Sequence, residues 1–178
     1  MVDYPLNSND LATLLPGVRV LTYPELQNVQ SIEEILGSSG RAVILFLTTG
    51  LSRGHWVGVF KRGNTLSFFD SYGLAPDAEG GWLSHDKLVE LHEDVPLLHK
   101  LFKEAESRGV QTTYNKTAYQ NPHDLASETC GRHVAVRLDY SDFTDAQYHA
   151  LIEECKANTH SKNADAVVVL LTHHLIGK

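Results

Sequence analysis

The sequence predicts an α+β fold with a mixed central β-sheet flanked by helices. All runs with strand-like patterns end by Tyr114, and after a polar loop the rest of the chain is helical in character. Strands that come first and helices that come later differ from the regular strand–helix alternation of a parallel α/β array. A chain of 178 residues has room for one core and hardly for two, so we expect a single domain over residues 1–178.

The first forty residues contain the patterns of three short elements. A capped helix is expected over residues 9–15, where a Pro-Gly pair stops it. A strand over residues 18–21 follows. A Tyr-Pro turn then separates this strand from a helix over residues 31–36 that ends at Gly37.

Three strand-like runs come next. Residues 41–49 form a continuous apolar run at strand length, which predicts a central strand buried on both faces. Residues 56–60 and 65–70 are two further runs, joined by the polar tetrapeptide Lys-Arg-Gly-Asn. This arrangement predicts a β-hairpin.

The second half of the chain has mainly helical patterns. After a loop over residues 72–81, helical spacing extends over about 83–105, and Pro96 interrupts it. Thr144 and Gln147 have the spacing of a capping box at the start of a helix. The remaining pattern predicts a strand over 110–114, a polar loop over 115–129, and helices over 130–139, 144–157 and 163–175.

Composition argues against several classes of protein. The 22 acidic residues outnumber the 15 basic ones, for a formal charge of −7, which argues against a surface built to bind nucleic-acid phosphates. The longest apolar runs have about six residues, far short of the roughly 20 that span a bilayer, and the N-terminus lacks the pattern of a secretory signal. Because the chain has only 2 cysteines, we expect no disulfide scaffold and an intracellular protein.

Polar segments at predicted strand and helix ends bring together a histidine, an acid and a cysteine. Cys130 follows Thr129, a candidate N-cap, so helix-terminus amides and the helix dipole favour its thiolate form, which is the nucleophilic one. His55 opens one strand of the hairpin and Asp70 closes the other, so the two meet at the same edge of the sheet. Asp70 is therefore the carboxylate expected to orient a histidine base.

An oxyanion donor completes such a site. The backbone N–H of Cys130 is one candidate donor, and a side-chain amide from the preceding loop is the second. Gln120, ten residues before Cys130, is our choice, and Asn121 and Gln111 are its rivals.

The order His, acid, Gln, Cys resembles that of the adenain-like and SUMO-protease-like cysteine peptidases, and most closely the viral maturation proteases. The resemblance covers about residues 41–140. It implies a papain-like cysteine protease core in permuted order, His-Asp-Gln-Cys, that hydrolyses peptide or isopeptide bonds. The residues that carry it are Gly54-His55-Trp56, Phe69-Asp70-Ser71-Tyr72-Gly73, Gln120 and Thr129-Cys130-Gly131.

The resemblance assigns a role to each of these positions. It implies that Cys130 is the nucleophile, that His55 is the general base and later the acid, and that Asp70 orients His55. Gln120 would be the oxyanion donor. Trp56 would wall a narrow substrate channel, and Gly131 would also contact the substrate.

The resemblance also implies the partners. The substrate would be a protein or peptide with small residues near the cleavage site, and no cofactor or metal is expected. Adenain-type enzymes use DNA and a peptide cofactor, but the acidic charge gives no support for DNA and nothing in the sequence identifies an activating peptide. The compact chain favours a viral maturation protease, located in the host cytoplasm or nucleus or packaged in a virion. The alternatives are a ubiquitin-like-protein protease and a catalytically silent interaction module.

Two other site chemistries match parts of the sequence. A zinc site could be formed by Cys130, His133, His149 and Cys155, although only the first pair has short spacing. Residues 50–54 match the G-x-S-x-G pattern of a serine esterase around Ser52, but a strand rather than a helix is expected after the serine. Cys155 is otherwise expected to be a packing residue on a helix face.

Overall fold

The computed structural model describes residues 4–49, 53–121 and 128–176. Its strands are β1 (Arg19–Thr22), β2 (Arg41–Thr49), β3 (Arg53–Arg62), β4 (Thr65–Phe69) and β5 (Gln111–Tyr114). Its α-helices are α1 (Ser8–Leu14), α2 (Ile32–Leu36), α3 (His85–Leu91), α4 (Leu97–Ser107), α5 (Cys130–Asp139), α6 (Asp145–Asn158) and α7 (Ala164–Ile176). Short 3₁₀ segments cover Tyr23–Asn28, Gly37–Ser39 and Ala78–Trp82.

The five strands form one mixed sheet in the order β1-β2-β3-β4-β5. The three central strands pair antiparallel, whereas β1 runs parallel to β2 and β5 runs parallel to β4. Helices cover both faces of this sheet. The α+β fold with a mixed, helix-flanked sheet is therefore confirmed.

The central strand β2 is buried on both faces, as its continuous apolar run predicts. Val43, Leu45 and Leu47 belong to one core, which they share with residues of α1, α5, α6 and α7. Ala42, Ile44 and Phe46 belong to a second core on the opposite face, shared with α2 and α4. The alternation of side chains along a strand explains why one segment supplies both cores.

The elements agree with the predicted ones except at a few ends. Strand β3 starts at Arg53, so His55 lies inside the strand, paired with Phe46 of β2, and not ahead of it. The helical run before the fifth strand divides earlier than Pro96, because His92 adopts a left-handed conformation with φ of 60° and ends α3. The capping box of Thr144 and Gln147 is present at the start of α6.

Thr129 takes the N-cap position of α5, but its side chain makes no capping hydrogen bond. Its hydroxyl group donates instead to Asp165 Oδ1 at the start of α7. A side chain that was expected to cap its own helix therefore links two helices.

Among the described residues, no helix combines the length and apolarity that a membrane crossing requires.

Candidate active site

His55 and Asp70 lie side by side at the end of the hairpin, as the strand pattern predicts. In the register of the two strands Gly58 is opposite Phe69, so the chain leaves β4 beside the first residues of β3. His55 Nε2 and Asp70 Oδ2 are 3.1 Å apart, and both side chains are buried. The geometry is that of a histidine held by a carboxylate through one ring nitrogen.

Asp70 is fixed by its neighbours as well as by His55. Asn115 Oδ1 accepts a hydrogen bond from the Asp70 N–H at 2.9 Å, and Asn115 Nδ2 donates to the Asp70 carbonyl oxygen at 2.7 Å. Asp70 Oδ1 also accepts a hydrogen bond from the N–H of Tyr72. The buried Asn115 therefore clamps the backbone of Asp70, and the turn after β4 orients its carboxylate.

The two groups shift each other's pKa in opposite directions. Burial alone would lower the pKa of His55, but hydrogen bonds to Asp70 and Cys130 and the charges of both partners raise it to about 10. Burial alone would raise the pKa of Asp70, but the hydrogen bond from His55 and its charge hold that pKa below its usual value. At neutral pH the pair is therefore an imidazolium and a carboxylate.

Cys130 is the first residue of α5 and is partly exposed. The hydrogen bond and the charge of Cys130 are among the causes that raise the pKa of His55, so the thiol lies close to that ring. Because Nε2 of His55 faces Asp70, the ring nitrogen left for the thiol is Nδ1.

Gln120 is buried and attached to the turn that follows Asp70. Its Oε1 accepts a hydrogen bond from the Ser71 hydroxyl at 2.8 Å, and its N–H donates to the Ser71 carbonyl oxygen at 3.0 Å. Since the amide oxygen is engaged, its NH₂ end is oriented as a donor. The two rivals, Gln111 in β5 and Asn121, are exposed, so Gln120 is the amide that the fold holds in one orientation.

The two tryptophans near the site differ in their exposure. Trp56, the expected wall of a substrate channel, is only 6% exposed, and its Nε1 donates to the Leu6 carbonyl oxygen at 3.0 Å. A Cβ atom at Gly131 would lie 3.1 Å from both Trp56 and Leu6. Trp56 and Gly131 therefore pack against each other in the core, one residue away from His55 and Cys130.

The exposed indole at the site belongs to Trp82. Tyr72 stacks on the His55 ring with centroids 4.8 Å apart, and Trp82 meets the same ring edge-on at 5.2 Å. Trp82 is 44% exposed, so it presents an aromatic face beside the histidine. The sequence did not single out Trp82, because it follows two glycines at the end of a short 3₁₀ segment and belongs to no periodic pattern.

A buried carboxyl group that the sequence did not indicate lies beside His55 and Asp70. Glu79 is 4% exposed. One side-chain atom from each of His55, Asp70 and Glu79 can be chosen so that all three lie within 4.8 Å of one another. Two carboxyl groups and an imidazole are also a possible ligand set for a divalent cation.

The two alternative site chemistries, a zinc site and a serine-esterase motif, can be compared with the positions of their residues. Cys130, His133, His149 and Cys155 do not form a group within metal-ligand reach in the part of the chain that the structure describes. His133 Nε2 lies instead 3.0 Å from Asp165 Oδ1. Ser52 lies outside the described residues, and the next element in the chain is strand β3, where a nucleophile elbow requires a helix.

Comparison with known proteins finds a distant similarity to a viral protein. No protein-family model matches the chain. The chain is 29% identical over 144 residues to an uncharacterized protein, V9, of Sputnik virophage, an alignment that covers 75% of this chain and 74% of V9. The similarity relates the chain to a viral protein and carries no information about activity.

Proposed function

We propose that this protein is a cysteine peptidase with Cys130 as its nucleophile. The observation that carries the proposal is His55, which contacts Asp70 through Nε2 and lies close to Cys130 at the start of a helix. A nucleophile, a base and a group that orients the base are the three parts that covalent acyl transfer requires. The fold then corresponds to a papain-like core in permuted order, with His55, Asp70, Gln120 and Cys130 in that sequence.

The chemistry proceeds in two halves. The Cys130 thiolate attacks the carbonyl carbon of the substrate, and the developing oxyanion accepts hydrogen bonds from the Cys130 N–H and the Gln120 side-chain amide. The His55 imidazolium gives its proton to the amine nitrogen as the C–N bond breaks, and a thioester remains. His55 then takes a proton from water, whose oxygen attacks the thioester, and the C–S bond breaks to release the acid and the thiolate.

The surroundings of His55 support a substrate that is narrow at the cleavage site. Tyr72 and Trp82 stand against the imidazole, and we infer that these rings narrow the path of the substrate beside it. We infer a protein or peptide substrate with small residues there. The similarity to a virophage protein favours a viral setting for this peptidase, and within that setting we propose a role in the maturation of viral proteins.

The test compares the two cysteines of the chain. Iodoacetamide is expected to alkylate Cys130 at about pH 6–7 much faster than a free thiol, because only the thiolate reacts. Cys130→Ala should abolish cleavage of small-residue peptides, for which a drop of roughly 10³-fold or more is typical of a lost nucleophile. Cys155→Ala is the matched control and should leave both readouts unchanged. Cleavage that survives in Cys130→Ala would contradict the assignment.

The peptide panel also separates the alternative functions. A maturation protease should cut peptides with small residues and ignore a reporter that ends in Gly-Gly, whereas a ubiquitin-like-protein protease should turn over that reporter. A Cys130 thiol that reacts no faster than a free one would identify a catalytically silent module on this fold.

A further inference from the structure

Glu79 is a buried carboxyl group whose hydrogen bonding is incomplete. Neither of its carboxyl oxygens has a hydrogen-bond donor among the described residues. A carboxylate in such a position would be uncompensated, which is strongly unfavourable in a protein interior. The acidic neighbour of Glu79 is Asp70, and one oxygen atom from each of the two carboxyl groups can be chosen so that these atoms lie within 4.8 Å of each other.

Two facing carboxyl groups can hydrogen-bond only if one of them carries a proton. Asp70 accepts hydrogen bonds from the Tyr72 N–H and from His55, and both favour its ionised form. Glu79 accepts none, which favours its neutral form. The proton therefore belongs on Glu79.

A proton on one carboxyl group explains how Asp70 and Glu79 can be buried side by side better than a bound metal ion does. His55, Asp70 and Glu79 provide three ligand atoms, and within the described ranges no further His, Cys, Asp or Glu joins them. Zinc sites in proteins use four ligands or keep one position open to water, and all three of these side chains are buried. A shared proton needs neither a fourth ligand nor a route of entry.

We propose that Glu79 is a positioning residue of this site, a protonated carboxyl that donates a hydrogen bond to Asp70 and so fixes the carboxylate that orients His55. The catalytic consequence rests on the proposed peptidase function, whereas the protonation of Glu79 does not. The titratable groups that act on Glu79 are Asp70, after β4, and His55, in β3. Burial and the neighbouring Asp70 raise the pKa of Glu79 to about 9.

The first test measures protonation through stability and needs no substrate. The pKa of Glu79 is raised from 4.5 to about 9, so between these values the native state holds a proton that the unfolded chain has lost, and stability falls as pH rises. Glu79→Gln removes this proton. Its free energy of unfolding, minus that of the wild type, should therefore increase steadily between about pH 5 and 9.

The control for that experiment is Glu90→Gln, because the Glu90 side chain is 65% exposed. The free energy of unfolding of Glu90→Gln, minus that of the wild type, should stay constant over the same pH range. A flat difference for Glu79→Gln as well would mean that native Glu79 is ionised and would overturn the proposal. Stabilisation of the wild type by added Zn²⁺ that a chelator removes and that Glu79→Gln lacks would also overturn it, since a cation would then hold the pair together.

The second test measures positioning through the reactivity of the thiol. Glu79→Gln still offers an N–H donor to Asp70, whereas Glu79→Leu does not. Cys130 alkylation near neutral pH should therefore be roughly tenfold faster in the Gln variant than in the Leu variant. Above about pH 9 the wild type should lose reactivity relative to Glu79→Gln, because a second buried charge then faces Asp70. Equal reactivity of the two variants at neutral pH would contradict a positioning role.

These readouts separate the two proposals from each other. If no peptide is cleaved but the stability difference grows with pH, the peptidase function fails and the protonated Glu79 stands. If peptides are cleaved and the stability difference does not change with pH, the peptidase function stands and the protonated Glu79 fails.

Discussion

Two buried polar residues outside the proposed catalytic set, Asn115 and Ser71, help to determine where the side chains of that set lie. Asn115 holds the backbone of Asp70 from both sides, and Ser71 holds the amide oxygen of Gln120. Catalytic geometry depends on such supporting contacts, since a displacement of about 1 Å can reduce a rate roughly a hundredfold. The residues that resemble a family motif thus depend on residues that no motif marks.

Ser71→Ala tests this dependence at Gln120. Without the hydroxyl donor the amide of Gln120 loses one of the contacts that orient it, so its NH₂ end points less steadily at the oxyanion. We expect kcat for peptide hydrolysis to fall roughly tenfold with little change in KM, a part of the roughly 10²-fold loss that follows removal of an oxyanion donor. Stability should fall by only about 1 kcal/mol, as for one neutral hydrogen bond.

Ser67→Ala is the control for that substitution, because it removes another buried serine hydroxyl, on strand β4. The kcat of Ser67→Ala should stay within twofold of the wild-type value, which corresponds to at most roughly 0.4 kcal/mol in activation free energy. A rise in KM at constant kcat in Ser71→Ala would mean that Ser71 acts on substrate binding and not on the oxyanion.

The position of His55 depends on how strands β2 and β3 pair at the beginning of β3. Gly54 is paired with Leu47 at a point where the register of β2 and β3 shifts. A Cβ atom at Gly54 would lie 1.7 Å from the carbonyl oxygen of Phe46. Only glycine permits this close approach of the two strands, and His55 is the next residue.

Gly54→Ala should therefore separate the strands where the histidine is anchored. We expect a loss of about 3 kcal/mol in the free energy of unfolding, at the upper end of overpacking effects, and a loss of Cys130 reactivity. Gly58→Ala in the same strand is the comparison, because its Cβ would lie 3.3 Å from the flexible side chains of Leu138 and Val134. Its effect should be about 1 kcal/mol or less. Equal losses of stability in Gly54→Ala and Gly58→Ala would mean that the close approach of β2 and β3 does not require glycine at position 54.

The C-terminal helices support the other half of the site. Asp165 at the start of α7 accepts hydrogen bonds from Thr129 and from His133, which lie on either side of Cys130. Asp165→Ala should lower stability by about 2 kcal/mol and slow Cys130 alkylation, because hydrogen bonds to a charged group are worth about 1.5–3 kcal/mol. Asp142→Ala, at an exposed position between α5 and α6, should change stability by less than about 0.5 kcal/mol. Unchanged alkylation in Asp165→Ala would show that α5 needs no support from α7.

The sequence predicts the elements far better than the contacts between them. Strand and helix periodicity predict the sheet, and the hairpin pattern predicts that His55 meets Asp70, because pairing along a hairpin is local. Asn115 and Glu79 were missed, because buried polar residues that act across the fold leave no periodic signal. The burial of Trp56 was also not predictable, since it depends on how Leu6 and Gly131 pack against it.

For the molecule as a whole, the site predicts how stability changes with pH. The pKa of His55 is raised from 6.5 to about 10, so its contribution to stability is fully present below about pH 6.5 and is lost as pH rises through about 10. The pKa of Asp70 is lowered from 3.8, so its contribution is present above that value and is lost as pH falls below it. Glu79 adds to the loss on the alkaline side.

These groups together place the maximum of stability at about pH 4–5, where Asp70 is ionised and unfolded Glu79 has not yet lost its proton. Urea unfolding from about pH 4 to 10 should show a free energy of unfolding that declines above the maximum. His55→Gln should reduce the slope between about pH 6.5 and 10, because the imidazolium that holds the extra proton is gone. His85→Gln, at an exposed position on α3, should leave the slope as it is. A wild-type maximum at or above pH 8, or the same slope in His55→Gln, would mean that native His55 is neutral and acts only as a base, without the imidazolium that stabilises a thiolate at rest.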